Sequence, residues 1–282
     1  MKINKVLVAN RSEIAIRVFR AAEELGIKTV SIYSKEDRFA LHRFKTDESY
    51  LIGDNKGPIQ AYLNADSIIK IAKESKVDAI HPGYGFLSEN PDFAKICEKN
   101  NIIFIGPNKT VLQKLGNKTE AKKIAKKLKI NTINSISIKS KNASSIKNAI
   151  RKIGLPLIVK ANWGGGGRGM RVIHSLKDAV NKILSAQNES KKAFGNDEVF
   201  LEKYIEDAAH VEVQILADKH GSVVHLYERD CSLQRRHQKI IERAPANYLN
   251  ESIKNSLYQS AIKLVKSVNY NGAGTIEFLI DK

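Results

Sequence analysis

The chain has 282 residues, enough for about two domains, and its 42% hydrophobic and 27% charged content excludes wholesale disorder. No apolar run approaches the roughly 20 residues of a membrane-spanning helix, and two cysteines, Cys97 and Cys231, exclude a disulfide framework. Forty-seven Lys+Arg against thirty Asp+Glu give a net charge of +17, which raises the question of nucleic-acid binding.

Strand-like sequence starts at Lys5 with no signal or transit segment before it, so the expected compartment is the cytoplasm. Lys5 to Ala9 (KVLVA) is predicted as a strand. Glu13 to Leu25 then carries Ile14, Val18, Ala21, Ala22 and Leu25 on one helical face, and Gly26 stops it. Lys28 to Tyr33 is the next strand. A helix over Asp66 to Ser75 leads to a strand over Asp78 to His81. A helix over Pro91 to Lys99 leads to a buried strand over Asn101 to Ile105. Strands separated by helices predict a parallel sheet covered on both faces.

From Lys109 to Lys152 there are thirteen basic residues against one acid, Glu120. Lysine dominates and no aromatic residue is present to stack a base, so the segment reads as a solvated helical face rather than a nucleic-acid surface. After it come strands over Leu155 to Ala161 and Met170 to His174 and a helix from about Leu176 to Ser190. VFLEKYI, HVEVQILAD and VVHLYERD then follow one another through short turns such as Lys219 to Ser222, which predicts antiparallel neighbours. A helix over Glu251 to Val268 precedes the strand GTIEFLID. The expected architecture is α/β: a doubly wound parallel sheet over residues 1–113, then an α+β domain over 114–282.

Four glycines in succession in WGGGGRGM, Trp163 to Met170, weaken any folded element. No Lys-Ser/Thr follows them, so they are not a P-loop. The dinucleotide fingerprint also fails, since Asn10-Arg11-Ser12 follows the first strand. What remains is a loop between two strands whose bare N–H groups suit polyphosphate, bracketed by Lys160 and Arg168. A ligand-free surface hairpin is the alternative. ERDCSLQRRHQK, Glu228 to Lys239, gathers Arg229, Arg235, Arg236, His237 and Lys239 at the end of a strand. With Gln234 and Gln238 it suits a small oxyanion, or it is a salt-bridged loop answering Glu228, Asp230 and Glu242. In the last strand Glu277 points opposite to Ile276 and Phe278. One carboxylate there could serve Mg²⁺, but no partner for it is evident. HPGYGFLSEN, His81 to Asn90, is either a ligand loop at a strand end or a plain turn.

Six motifs, VANRSEIAIRVFRAAEELGI, HPGYGFLSENPDFA, GGGGRGMRV, EKYIEDAAHVEVQILAD, ERDCSLQRRHQK and GAGTIEFL, occur in an order that resembles the biotin carboxylases, which are ATP-grasp enzymes. HRFKTDESY, GPIQAYL, Trp163 and HLYERDCS are most similar to the amino-terminal region of the pyruvate carboxylase group; an acyl-CoA carboxylase subunit is the alternative. The resemblance implies a pre-ATP-grasp domain over 1–113 and an ATP-grasp domain over 114–282, with a flap at about 132–204. It also implies carboxylation of biotin by bicarbonate through carboxyphosphate, at the expense of ATP. By motif position, Lys118 and Lys160 would contact ATP phosphates beneath a flap containing Gly166 and Gly167. Glu202, Lys203 and Ile205 would hold the adenine, with His210 near the ribose and Leu279 also among the ATP-binding residues. Gln234, His237 and Lys239 would line the bicarbonate and phosphate side, and His237 would also contact ATP. Glu277 would bind Mg²⁺ or Mn²⁺.

The implied partners are bicarbonate, a biotinylated carrier domain, a carboxyltransferase domain and further copies of the chain. Ala209 stands where the family is expected to carry arginine, and Asn162 where it carries serine or alanine. The family's second metal carboxylate, its bicarbonate base and its catalytic arginines fall beyond residue 282, so the chain alone is expected not to turn over. A carbamoyl phosphate synthetase relative is a further reading, against which ERDCSLQRRHQK argues. A basic nucleic-acid-binding protein is another.

Overall fold

A computed structural model describes residues 2–53, 56–162, 170–235 and 238–281. The chain divides into two compact units, Met1–Gln113 and Lys114–Lys282. Among the described residues no helix is long and apolar enough to cross a membrane.

The first unit runs β1 (Lys5–Val8), α1 (Ser12–Glu24), β2 (Lys28–Tyr33), β3 (Glu48–Leu51), α2 (Pro58–Tyr62), α3 (Ala65–Glu74), β4 (Ala79–His81), α4 (Pro91–Lys99) and β5 (Ile103–Phe104), with α5 (Lys109–Gly116) at the border. Its five strands form one parallel sheet in the order β3-β2-β1-β4-β5. The continuous apolar run of β1 has a direct cause, because the sheet is covered on both sides. Leu7 packs with Ile68, Phe93 and Cys97 on one face, while Val8 meets Ala15 and Phe19 of α1 on the other. Each such side chain contributes roughly 1.5–3 kcal/mol on burial. The expected strand over Asn101 to Ile105 shrinks to the two half-buried residues of β5, which lies at the sheet edge with neighbours on one side only.

Two polar ties fix the carboxyl ends of these strands. Buried Asn10 donates to the carbonyls of Pro82 and Tyr84 at 2.8 and 2.9 Å. Gly83 is at φ 65°, and a Cβ there would lie 2.5 Å from the Asn10 amide, so HPGYG is a tightly seated turn. Arg11 donates through Nε to Asp37 Oδ2 at 2.6 Å, and the Tyr62 hydroxyl donates to the same oxygen at 2.7 Å. Arg11 and then Tyr62 hold the Asp37 carboxyl below the ordinary aspartate range despite its burial.

The second unit runs α6 (Lys118–Lys127), β6 (Ser135–Ile138), α7 (Ala143–Ile153), β7 (Leu157–Ala161), β8 (Arg171–Ile173), α8 (Ala179–Phe194), β9 (Val199–Lys203), β10 (Ala209–Ala217), β11 (Val223–Arg235), β12 (Gln238–Arg243), α9 (Glu251–Ser267) and β13 (Gly272–Ile280). It holds two antiparallel sheets, β6-β9-β7-β8 and β12-β11-β10-β13. Ile146 and Ile150 of α7 and Ile183 of α8 cover one face of the first sheet through Leu157, Val159 and Leu201. Leu257, Tyr258, Ala261 and Val265 of α9 cover one face of the second through Val211, Val213 and Ile215.

Three expectations for the second unit change. VFLEK is not a neighbour of HVEVQILAD: both hydrogen-bonding edges of β9 are taken by β6 and β7, so β10 starts a separate sheet. ERDCSLQRRHQK is not a loop beyond a strand either. Its first eight residues belong to β11, and Gln238 and Lys239 open β12, which pairs back antiparallel. The predicted helix from Leu176 starts three residues later, at Ala179, and runs on to Phe194.

Candidate functional site

In the first sheet of the second unit, alternation decides which side chains leave the core. Val199 and Leu201 of β9 face the helices, so Phe200 and Glu202 face the other way, as Lys160 does opposite Val159 on β7. The Glu202 side chain is only 3% exposed and is shared by two ammonium groups, Lys122 on its Oε1 and Lys160 on its Oε2. Lys122 comes from α6, where its ammonium lies 5.3 Å from the centroid of the Phe200 ring and 3.4 Å from the Ile133 carbonyl. Burial works to raise the Glu202 carboxyl, yet Lys160 and Lys122 together hold it below the ordinary glutamate range. Burial pulls the Lys122 ammonium down, against the opposing attraction of Glu202. Two ammonium groups on one carboxylate leave one positive charge in excess, which favours an anionic ligand.

Lys118 opens α6, and its start is tied to the end of β7. Buried Asn162 accepts from the Thr119 N–H at 3.2 Å and from the Thr119 hydroxyl at 2.9 Å, while its own carbonyl takes the Lys118 N–H at 3.5 Å. The departure from the expected serine or alanine at Asn162 thus supplies an acceptor that brings Lys118 next to the strand carrying Lys160. Lys203, at the end of β9, donates to the Leu155 carbonyl at 2.7 Å, and Ile205 follows it, half-buried.

The second sheet carries a charged ladder on the face away from α9. Glu277 of β13 lies in register with Glu212 of β10, which lies in register with Arg229 of β11; Gln234 of β11 is in register with Lys239 of β12. Lys239 bridges the two acids, bonding Glu212 Oε2 and, at 2.5 Å, Glu277 Oε1. Arg229 closes on Glu212 through Nε at 2.7 Å and on Gln214 Oε1 at 3.0 Å, with Glu242 3.3 Å from its Nε. Burial would raise the Glu212 carboxyl, but hydrogen bonds from Lys239 and Arg229 hold it low. Burial lowers Lys239, and its bonds to Glu212 and Glu277 more than reverse that, so its ammonium is held above the ordinary lysine value. His210 stands in register with Leu279, and its N–H donates to Ser232 Oγ at 3.0 Å. Gln234 donates to the Cys231 carbonyl at 2.9 Å.

The structure therefore joins Lys160 to Glu202, and Lys239 to Glu277. Gly166, Gly167 and His237 lie outside the described residues, as do Trp163, Arg168 and Arg236. Sequence reasoning missed Glu212 and Lys122. Glu212 had a signal, an acid inside the alternating apolar strand HVEVQILAD. Lys122 had a fainter one, lying four residues from Lys118 on the same helical face. Most of the lysine-rich stretch is solvated as expected, Lys123, Lys126, Lys127 and Lys129 among them; Lys122, with its side chain 22% exposed, is half-buried, as are Lys109 and Lys118. Among the described residues, carboxylates here that could serve a hard cation are those of Glu277, Glu212 and Glu242. Cys231 lies near Glu212 and Glu242, but burial first, and then Glu212, pushes its thiol up to about 11, which does not suit such a role.

A family model for the biotin carboxylase N-terminal domain matches residues 2–112, and one for the ATP-binding domain of the carbamoyl-phosphate synthase L chain matches residues 117–282. Pyruvate carboxylase of Bacillus subtilis is 52% identical over 278 residues, 99% of this chain and 24% of the relative. The mitochondrial pyruvate carboxylase of Rattus norvegicus is 50% identical over 280 residues, with the same 99% and 24% shares. Among solved structures, the biotin carboxylase domain dimer of Hydrogenobacter thermophilus 2-oxoglutarate carboxylase, in complex with MgADP, ADP and bicarbonate, matches with a TM-score of 0.96. Identity there is 44%, over 100% of this chain and 62% of that one. The chain spans about a quarter of the length of the curated relatives it matches.

Proposed function

The chain belongs to the biotin carboxylase family, and on that premise we propose that it binds ATP and serves the ATP-dependent carboxylation of biotin by bicarbonate. The γ-phosphoryl group of ATP passes to a bicarbonate oxygen with release of ADP, giving carboxyphosphate; this breaks into CO₂ and phosphate beside biotin, and a ureido nitrogen of biotin takes up the CO₂ as its proton passes to the phosphate. Transfer between two anions is mainly a matter of positioning and charge neutralisation.

Lys118 and Lys160 serve the ATP phosphates, and Gly166 and Gly167 the flap above them. Glu202, Lys203 and Ile205 serve the base, His210 the ribose, and Leu279 belongs to the same ATP site. Gln234, His237 and Lys239 serve the bicarbonate and phosphate side. Glu277, with Glu212 in register beside it, would hold Mg²⁺, whose charge offsets that of the phosphates when bound. The observation that carries this reading is Lys239 standing between Glu212 and Glu277, which puts a cation and two carboxylates on one sheet face. The cations paired with carboxylates here, Lys160 and Lys239, are the groups that an anionic substrate would contact.

Biotin would arrive on a carrier domain and leave to a carboxyltransferase domain. Pyruvate is the favoured final acceptor, because the relatives from Bacillus subtilis and Rattus norvegicus are both pyruvate carboxylases. Assembly into a homo-oligomer is part of the same proposal, and so is a cytoplasmic location, with the mitochondrial relative marking the alternative. Calorimetric titration with MgATP tests the core of it. Heat of binding and a raised Tm are expected, about 2.7 kcal/mol of added stability at 100 times Kd, with both lost in Lys160→Ala. No heat with the wild-type chain, or salt-sensitive binding of duplex DNA instead, would overturn the reading.

A further inference from the structure

Lys122 has no part in the phosphate or bicarbonate chemistry above, yet it is as enclosed as Lys160, the other cation on Glu202, their side chains being 22% and 23% exposed. Lys160 is assigned to the ATP phosphates, so phosphate binding draws it off Glu202 Oε2. Lys122 then remains as the counterion of a carboxylate that is 3% exposed. Its position has other supports, the Phe200 ring beneath it and the Ile133 carbonyl beside it. Around Glu202 the charged neighbours are Lys122 on α6, with Lys126 one turn on, and Lys160 on β7; the residue in register on β6 is the uncharged Ser135.

We propose that Lys122 is a positioning residue that sets the base specificity of the nucleotide site, by keeping Glu202 an acceptor-only carboxylate. The proposal rests on the ATP reading above. A carboxylate accepts from the exocyclic amino group of adenine and repels the carbonyl that hypoxanthine carries at the same ring position. A buried carboxyl without its counterion takes up a proton, and its O–H then favours the carbonyl base.

The test is the ratio of ATP to ITP affinity, measured by calorimetry on the intact chain for wild type, Lys122→Met and Lys122→Arg. Wild type is expected to prefer ATP. Lys122→Met should lower the ratio by about tenfold or more, the effect of mispairing one buried hydrogen bond, while Lys122→Arg retains it. In wild type the ratio should stay flat between about pH 6 and pH 8, a measurement that needs no variant; the titrating phosphates are common to both nucleotides and cancel. Equal weakening of ATP and ITP in Lys122→Met, or a wild-type ratio that climbs steeply through neutrality, overturns the proposal while leaving the ATP reading intact. Failure of the wild type to bind either nucleotide overturns both.

Discussion

Replacing Lys239 with methionine removes the cation shared by Glu212 and Glu277 while keeping most of the side-chain volume. The two acids respond differently, because the Glu212 side chain is 4% exposed and that of Glu277 is 68% exposed. Water replaces the lost partner at Glu277, so that half of the bridge contributes little. At Glu212 the loss leaves a buried carboxylate, and removing one partner of a buried pair costs roughly 3–5 kcal/mol. Arg229 still donates to Glu212 at 2.7 Å through Nε and through a second N–H, which offsets about half of this. The expected cost of Lys239→Met is therefore about 1.5–2.5 kcal/mol, or roughly 3–10 °C in the Tm of a unit of this size.

Urea denaturation followed by circular dichroism measures it in Lys239→Met, Glu212→Gln, the double variant and Glu277→Gln. The double variant should cost less than the sum of the singles by about 1–3 kcal/mol, since the buried charge is gone with its partner. Glu277→Gln should stay within about 0.5 kcal/mol of wild type. Additive single effects, or a Lys239→Met variant as stable as wild type, would refute the claim that this ladder is held by Glu212.

Acid should destabilise the first unit in two stages. Burial lowers the His42 imidazole below its ordinary value, with Nε2 3.2 Å from the Ile32 carbonyl and Nδ1 without a hydrogen-bond partner. The unfolded chain therefore binds a proton more readily than the native one, and stability falls as pH drops below about 6.5. Asp37, whose carboxyl Arg11 depresses, acts in the same sense at lower pH: its stabilisation is present above about 3.9 and is lost as pH falls through the lower native value. Hydrogen exchange localised to the first unit should show the first stage vanish in His42→Gln; stability unchanged from about pH 7 to pH 5 would contradict it. The buried thiols of Cys97 and Cys231, pushed up to about 12 and about 11 chiefly by desolvation, should resist iodoacetamide at neutral pH until the chain unfolds. Rapid alkylation of the native chain would show that these thiols are more open to solvent than the packing implies.

Much of the fold was legible before any coordinates. KVLVA reads as a strand buried on two faces because every residue after Lys5 is apolar, and IEF reads as a strand with one wet face because Glu277 alternates with Ile276 and Phe278. The resemblance then supplied the family, which six ordered motifs specify and the comparisons bear out. The candidate site was less legible. Lys122 is one of thirteen basic residues in its stretch, marked in sequence only by its spacing of four from Lys118; its pairing with Glu202 and its packing over Phe200 are what separate it from the solvated lysines. VFLEK looked like the first strand of a meander, since its sequence does not disclose that β6 and β7 already occupy its edges.

The dividing line has a physical origin. Periodicity, caps and turns are settled by residues within a few positions of one another, so Asn90 capping α4 or Asn250 capping α9 can be read from the chain itself. Partnership between distant segments is settled by packing and by ladder register, and the entropy of closing a loop changes so slowly with its length that sequence separation gives almost no guidance. That is why an acid on the last strand could be placed on its wet face from sequence alone. Its neighbour Glu212 and its cation Lys239 were decided by how β10, β12 and β13 come together.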